Sequence, residues 1–180
     1  MKPDNLLIRL LKGYGTIILS DVLCAGLLLS TQLFMSNNIL QVIIGLCAVL
    51  IYYGLLSNYT YKYGRADLKY ERLHKIPHNA KMPVLMSVLL LVPQLAAWVA
   101  LVLSKLGVIK DIYGLYNFTN FQFAALVKCF GSQSVANISV FGIILPLILL
   151  IIAGAVIYVT YVINYKDIDI WTKIIYKQDK

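Results

Sequence analysis

The chain has 180 residues, 60% of them hydrophobic and 13% charged, where a soluble domain carries roughly half and about a quarter. Its apolar residues fall in blocks long enough, at about 1.5 Å per residue, to cross a hydrocarbon core of roughly 30 Å. This excludes an ordinary water-soluble bundle. The formal charge of +8 would suit nucleic acid, but Lys and Arg lie between the apolar blocks and not on a basic face. They read as topology signals, and no nucleic-acid partner is expected.

In chain order, Leu6, Leu7, Leu10 and Leu11 surround Arg9 and Lys12, a pattern that suggests a short amphipathic helix on the membrane. The first span is expected over residues 14–35, with no small-x-small site after it, so it reads as a retained signal anchor. Ser36, Asn37 and Asn38 then leave room only for a tight antiparallel hairpin into a second span over 39–61. A polar loop covers 62–81, and a third span covers 82–104.

Residues 105–137 interleave Tyr113, Tyr116, Phe118, Phe121, Phe123 and Phe130 with Gly, Asn and Gln, and their apolar core is too short to span. Aromatic side chains of this kind favour the headgroup region, so the segment is expected on the outer surface as an interfacial helix or shallow re-entrant loop. A fourth span follows over 138–164. In the tail, 165–180, Ile170, Trp171, Ile174 and Ile175 recur at helical spacing while Lys173 and Lys177 face elsewhere, as in a helix lying on a membrane. The fold class is therefore all-α: an integral membrane four-helix bundle with an outer aromatic segment and amphipathic terminal helices.

The basic residues set the orientation. Thirteen of the sixteen lie in the N-terminal stretch, the 62–81 loop and the tail, whereas Lys105, Lys110 and Lys128 fall on the other side. The positive-inside rule then places both termini inside, in a cytoplasmic membrane. Lys62, Arg65, Lys69, Arg72 and Lys75 give the central loop a density suited to anionic lipid headgroups at the inner face, at about 1 kcal/mol per basic residue.

Asp21 is the one acidic residue inside an expected span, and an ionisable group in hydrocarbon is a functional candidate by default. Gln32 shares its helix face, Tyr53 and Tyr158 stand at matching depth on other helices, and Gln94 extends the polar path; with Asp21 they form the candidate intramembrane polar site. Gln41 and Thr160 read as interhelical packing groups. Pro93 and Pro146 each remove a backbone hydrogen bond inside a span, and Gln94 stands beside the carbonyls that Pro93 frees.

No cofactor or metal is expected. His74 and His78 are four apart, but Pro77 interrupts the helix and no carboxylate pair completes a metal site. Cys24, Cys47 and Cys129 read as free thiols. No nucleophile with a His base, phosphate loop or paired acidic cluster is present, so no enzymatic activity is expected.

The stretch Tyr63-Gly64-Arg65, a Pro-bearing third span and an ending of Tyr161 to Tyr165 then Ile175-Tyr176-Lys177 resemble the uncharacterised small four-span membrane proteins of low-GC Gram-positive bacteria. The likeness is one of layout over most of the chain and implies no activity. The leading expectation is a non-enzymatic accessory or assembly subunit acting through membrane-protein or lipid contacts, self-association included. The alternative is a small oligomeric proton- or cation-coupled transporter or channel that uses Asp21.

Overall fold

The structure, a computed structural model, describes residues 5–31, 37–74, 81–131 and 134–166. They form helices α1 (Leu6–Ser30), α2 (Asn38–His74), α3 (Met82–Lys105), α4 (Tyr113–Thr119), α5 (Phe121–Lys128) and α6 (Val140–Tyr165), with a 3-10 turn at Val135–Asn137 and no strand among the described residues. Helices α1, α2, α3 and α6 are long and apolar enough to cross a membrane. In the most apolar stretch of each, only 22% to 39% of the residues are buried. Most of that apolar surface, including Ile18, Leu50, Val88 and Ile151, therefore faces away from the protein. Lipid is the solvent that complements such a surface, and the chain is an all-helical, multi-pass membrane bundle.

Two helices are longer than their apolar blocks. α1 starts at Leu6, not near residue 14, and α2 runs to His74 where a loop from 62 was expected. Hydropathy reports where apolar side chains stop, whereas a helix ends where its hydrogen bonding is interrupted. Between 62 and 74 there is a single Gly, Gly64, and no Pro. At 37 residues, α2 is roughly 55 Å long, so it projects several turns past a bilayer core.

Those extra turns hold a buried ion pair that corrects two expectations. Arg9, read as part of a membrane-surface helix, is 1% exposed, and Asp67, read as a loop residue, is 6% exposed. The guanidinium donates from Nη1 to Asp67 Oδ2 at 2.6 Å and from Nη2 to Oδ1 at 2.5 Å, across 58 residues of sequence. The Tyr161 hydroxyl of α6 donates to the same carboxylate. Tyr59 donates to the Arg9 carbonyl, the Arg9 guanidinium lies 5.0 Å from the Tyr63 ring centroid, and Tyr165 donates to Glu71. Neither charge is left unmatched, which is the condition for burying them.

Gly64 lets α2 and α6 meet beside this network. A Cβ there would sit 2.7 Å from the Tyr161 carbonyl oxygen and 3.3 Å from the Tyr165 nitrogen. The stretches Tyr63-Gly64-Arg65 and Tyr161 to Tyr165 thus pack on each other.

At the opposite end, α5 packs inside the bundle, while α4 buries Tyr113 and Tyr116 and leaves Leu115 and Phe118 exposed. Phe123 and Val127 are wholly buried and Tyr116 nearly so, with α5 packed among α1, α2 and α6. Gln41 donates to the Ala125 carbonyl at 3.0 Å, and Gly45 leaves room for the Leu126 side chain. The Phe123 ring meets Tyr52 edge-on at 5.8 Å, roughly 20 Å along α2 from its start. The sixteen residues from Tyr113 to Lys128, too few to span, are still apolar enough to fill the space among α1, α2 and α6.

The connection that follows is clamped by two charged side chains. Lys105 donates to the carbonyls of Val135, Ala136 and Ile138 at 3.3, 2.7 and 2.8 Å. Asp111 accepts from the Tyr113 and Val135 amides at 2.8 and 3.0 Å. These amides, Tyr113 first, hold the Asp111 carboxyl below its usual range.

Candidate functional site: a membrane-facing cavity at Asp21

Pro93 has no N–H, so the carbonyl four residues earlier, that of Leu89, loses its helical donor. The Tyr14 hydroxyl supplies one at 2.7 Å and ties α1 to α3 at that level. Gln94, expected to meet the freed carbonyls, instead accepts from the Tyr52 hydroxyl at 2.6 Å through Oε1. α1 packs mainly on α2, while α3 packs mainly on α6.

The space between them is a cavity of about 930 Å³, at the upper end of the range for small-molecule sites, roughly 300–1,000 Å³. One wall is the α1 face of Ile17, Ile18, Asp21, Val22, Ala25, Gly26 and Leu29. The other is Pro93, Gln94 and Ala97 of α3. The α4–α5 tip, Phe118 to Phe121, closes one end. Ile18, Val22, Leu29 and Phe118 are all more than half exposed, so the mouth opens sideways onto the lipid-facing surface.

Three of the residues that line the cavity carry a buried polar atom that the protein does not satisfy. Asp21 Oδ1, Gln94 Nε2 and Asn120 Oδ1 are buried and have no hydrogen-bond partner among the described residues. Gln94 is 4% exposed and Asn120 is 1% exposed. Asn120 joins α4 to α5 with φ −143° and ψ 51°, a break between two helices that fixes its side chain at the tip. Such groups cost about 1–3 kcal/mol each when left unpaired.

Of the residues expected at this site, Asp21 and Gln94 come together. Tyr53 does not join them: its hydroxyl donates to the Leu149 carbonyl of α6 at 2.8 Å. Tyr158 is 42% exposed and does not line the cavity. Depth along a span is readable from sequence, but one residue turns a helix by about 100°, and Tyr52 rather than Tyr53 faces Gln94. Gln32 lies outside the described residues.

Gln41 and Thr160 are interhelical, the latter 3.2 Å from the Ser57 hydroxyl. Sequence reading missed Asn120 and Tyr14. The available signal was an Asn between two apolar stretches, each too short to span, and a Tyr at the start of the first span.

The basic residues take a helical form. Lys62, Arg65, Lys69 and Arg72 recur every three or four residues and are all exposed. They form one stripe on the projecting part of α2, on the side away from Asp67. Lys75, His78 and the amphipathic tail lie outside the described residues.

Fold and cavity together define a multi-pass helical membrane protein with a lipid-accessible chamber. No protein-family model, curated protein or solved structure matches the chain.

Proposed function

We propose that this protein binds a small amphiphilic molecule, drawn from the bilayer, in the chamber between α1 and α3, and acts as a membrane receptor or carrier for it. The supporting observation is the coincidence of a cavity of about 930 Å³ with three unpartnered buried polar groups, Asp21, Gln94 and Asn120. An accessory subunit that works only through its outer surfaces has no use for that chamber. The sideways mouth, edged by Ile18, Val22 and Leu29, suits entry from lipid. With the Arg9 end inside a cytoplasmic membrane, the exposed α2 stripe stands where anionic headgroups lie, and it fixes the depth of the bundle.

A Cβ at Gly26 would meet nothing within 4 Å, so Gly26→Phe adds a ring at the chamber wall with no clash at Cβ. Native mass spectrometry of the protein extracted from membranes should show a bound small amphiphile in the wild type and in Leu50→Phe, which adds comparable bulk on the lipid-facing surface. The species should be missing from Gly26→Phe. Equal occupancy in all three proteins, or no bound species in any, rejects the reading.

A further inference from the structure

Nearly all of the chamber's polar atoms are closed to a ligand. Asp21 Oδ1, Gln94 Nε2 and Asn120 Oδ1 are sealed and present almost no surface. Gln94 Oε1 accepts from the Tyr52 hydroxyl, and Asn120 Nδ2 donates to the Tyr116 carbonyl and the Thr119 hydroxyl. The Tyr14 and Thr119 hydroxyls donate to the carbonyls of Leu89 and Leu115. Among the described residues, this leaves Asp21 Oδ2 as the one side-chain polar atom of the lining that is neither sealed nor bonded. Every other lining side chain is aliphatic or aromatic, or is glycine.

A single oxygen cannot select a polar head, and water or a metal ion would lack the partners it needs there. An empty apolar chamber forfeits the dispersion contacts of its lining. Hydrocarbon supplies them and is at hand, since Ile18, Val22 and Leu29 at the mouth are exposed on the lipid-facing surface. Along α1 the lining runs from Tyr14 to Leu29, a length of about 22 Å. One leaflet contributes roughly 15 Å of hydrocarbon, half of the bilayer core. A whole lipid chain therefore fits along this wall. Its two ends differ: Leu29 precedes Ser30, the last residue of α1, whereas Tyr14 lies about two turns inside the other end and is tied to α3.

Resting on the binding function proposed above, we infer that the molecule in the chamber is a long-chain alkyl lipid held by its chain. The chain enters at the Leu29 end, and its terminal methyl lies toward Ile17. The head stays outside the mouth, in the headgroup layer. The chamber then selects for hydrocarbon and is indifferent to the charge of the head.

The test uses the full chain in phosphatidylcholine nanodiscs. Three probes share a palmityl chain with a diazirine at its terminal carbon: palmitate, palmityl alcohol and palmitoyl lysophosphatidylcholine. After irradiation, peptide mass spectrometry reads labelling at Ile17, which lines the chamber and is 8% exposed. Labelling at Leu50, on the lipid-facing surface, is the internal standard for probe in the bilayer. A head held by Asp21 would separate the three ratios by about tenfold or more, as a charge-assisted hydrogen bond does, whereas a chain held by the wall should leave them within about threefold. Moving the diazirine next to the head should shift the label from Ile17 to Leu29. Gly26→Phe and, from the facing wall, Ala97→Phe should each abolish the Ile17 label and spare Leu50, and thermal melts should show that both are folded.

Ratios that differ by about tenfold with the head overturn the chain assignment, while their loss in Gly26→Phe keeps the chamber as a binding site. Stronger Ile17 labelling from the diazirine next to the head overturns the direction of entry. If no probe labels Ile17, but native mass spectrometry still finds an amphiphile that Gly26→Phe removes, the chain assignment alone fails. If that amphiphile is missing as well, the binding function falls with it.

Discussion

Arg9 and Asp67 are the clearest place to test how this bundle is held together. Both side chains are nearly inaccessible, at 2% and 8%, and the carboxylate accepts two guanidinium hydrogen bonds and one from Tyr161. Arg9→Met leaves the Asp67 charge buried with only the Tyr161 hydroxyl. Breaking one partner of a buried pair costs about 3–5 kcal/mol, a large part of a net stability on the order of 5–15 kcal/mol. Asp67→Leu should cost a similar amount by stranding the guanidinium. In Arg9→Met/Asp67→Leu neither charge remains, and replacing a whole pair by apolar groups is close to neutral or better.

The double variant should therefore be much more stable than the sum of the singles, with a coupling of at least about 3 kcal/mol. Tyr161→Phe should fall between, at about 1.5–3 kcal/mol for a hydrogen bond to a charged group. Equilibrium unfolding by sodium dodecyl sulfate in mixed micelles, followed by far-ultraviolet circular dichroism, measures all four. Singles within about 0.5 kcal/mol of wild type, or an additive double, would refute the assignment of this network as the tie between α1, α2 and α6.

Gly64→Ala should destabilise by about 1–3 kcal/mol, as overpacking does, because the new methyl faces the Tyr161 carbonyl at 2.7 Å; the same unfolding assay measures it. Tyr14→Phe should cost about 1 kcal/mol by orphaning the Leu89 carbonyl. In a Pro93→Ala background, where the helix regains its own donor, that cost should vanish in the same titration. Asp111 has a depressed folded-state carboxyl, so its contribution is complete above the ordinary aspartate value of roughly 4 and is lost as pH falls through the lower folded value. Hydrogen exchange at the Tyr113 and Val135 amides, corrected for intrinsic rates, should accelerate over that acid window in wild type and be fast throughout in Asp111→Asn. Neutralising Lys62, Arg65 and Lys69 together should weaken association of the α2 projection with phosphatidylglycerol vesicles by about 1 kcal/mol per residue, in a co-sedimentation assay that phosphatidylcholine vesicles should not reproduce.

The membrane class, the four spans and the existence of an aromatic segment between the third and fourth were legible in the sequence because transfer to lipid is a local sum over neighbouring residues. Asp21 was legible for the same reason: one carboxylate in a long apolar block is costly wherever the helix points. What sequence could not supply is rotation and partnership. Hydropathy ended α2 near 61, while its hydrogen bonding continues to His74 and carries Asp67 to an arginine 58 residues away.

Tyr53 and Tyr158 had the right depth and the wrong azimuth, so Tyr52 took the place beside Gln94. Asn120 belonged, by composition, to a surface segment. Only the packing of α5 among α1, α2 and α6 brings it to the level of Asp21. Apolar content fixes which segments leave water, but every apolar face is equivalent to lipid. Only side-chain packing and paired polar groups decide which faces meet, and that choice, made by Arg9–Asp67, Tyr14–Leu89 and Gly64, opens the chamber between α1 and α3.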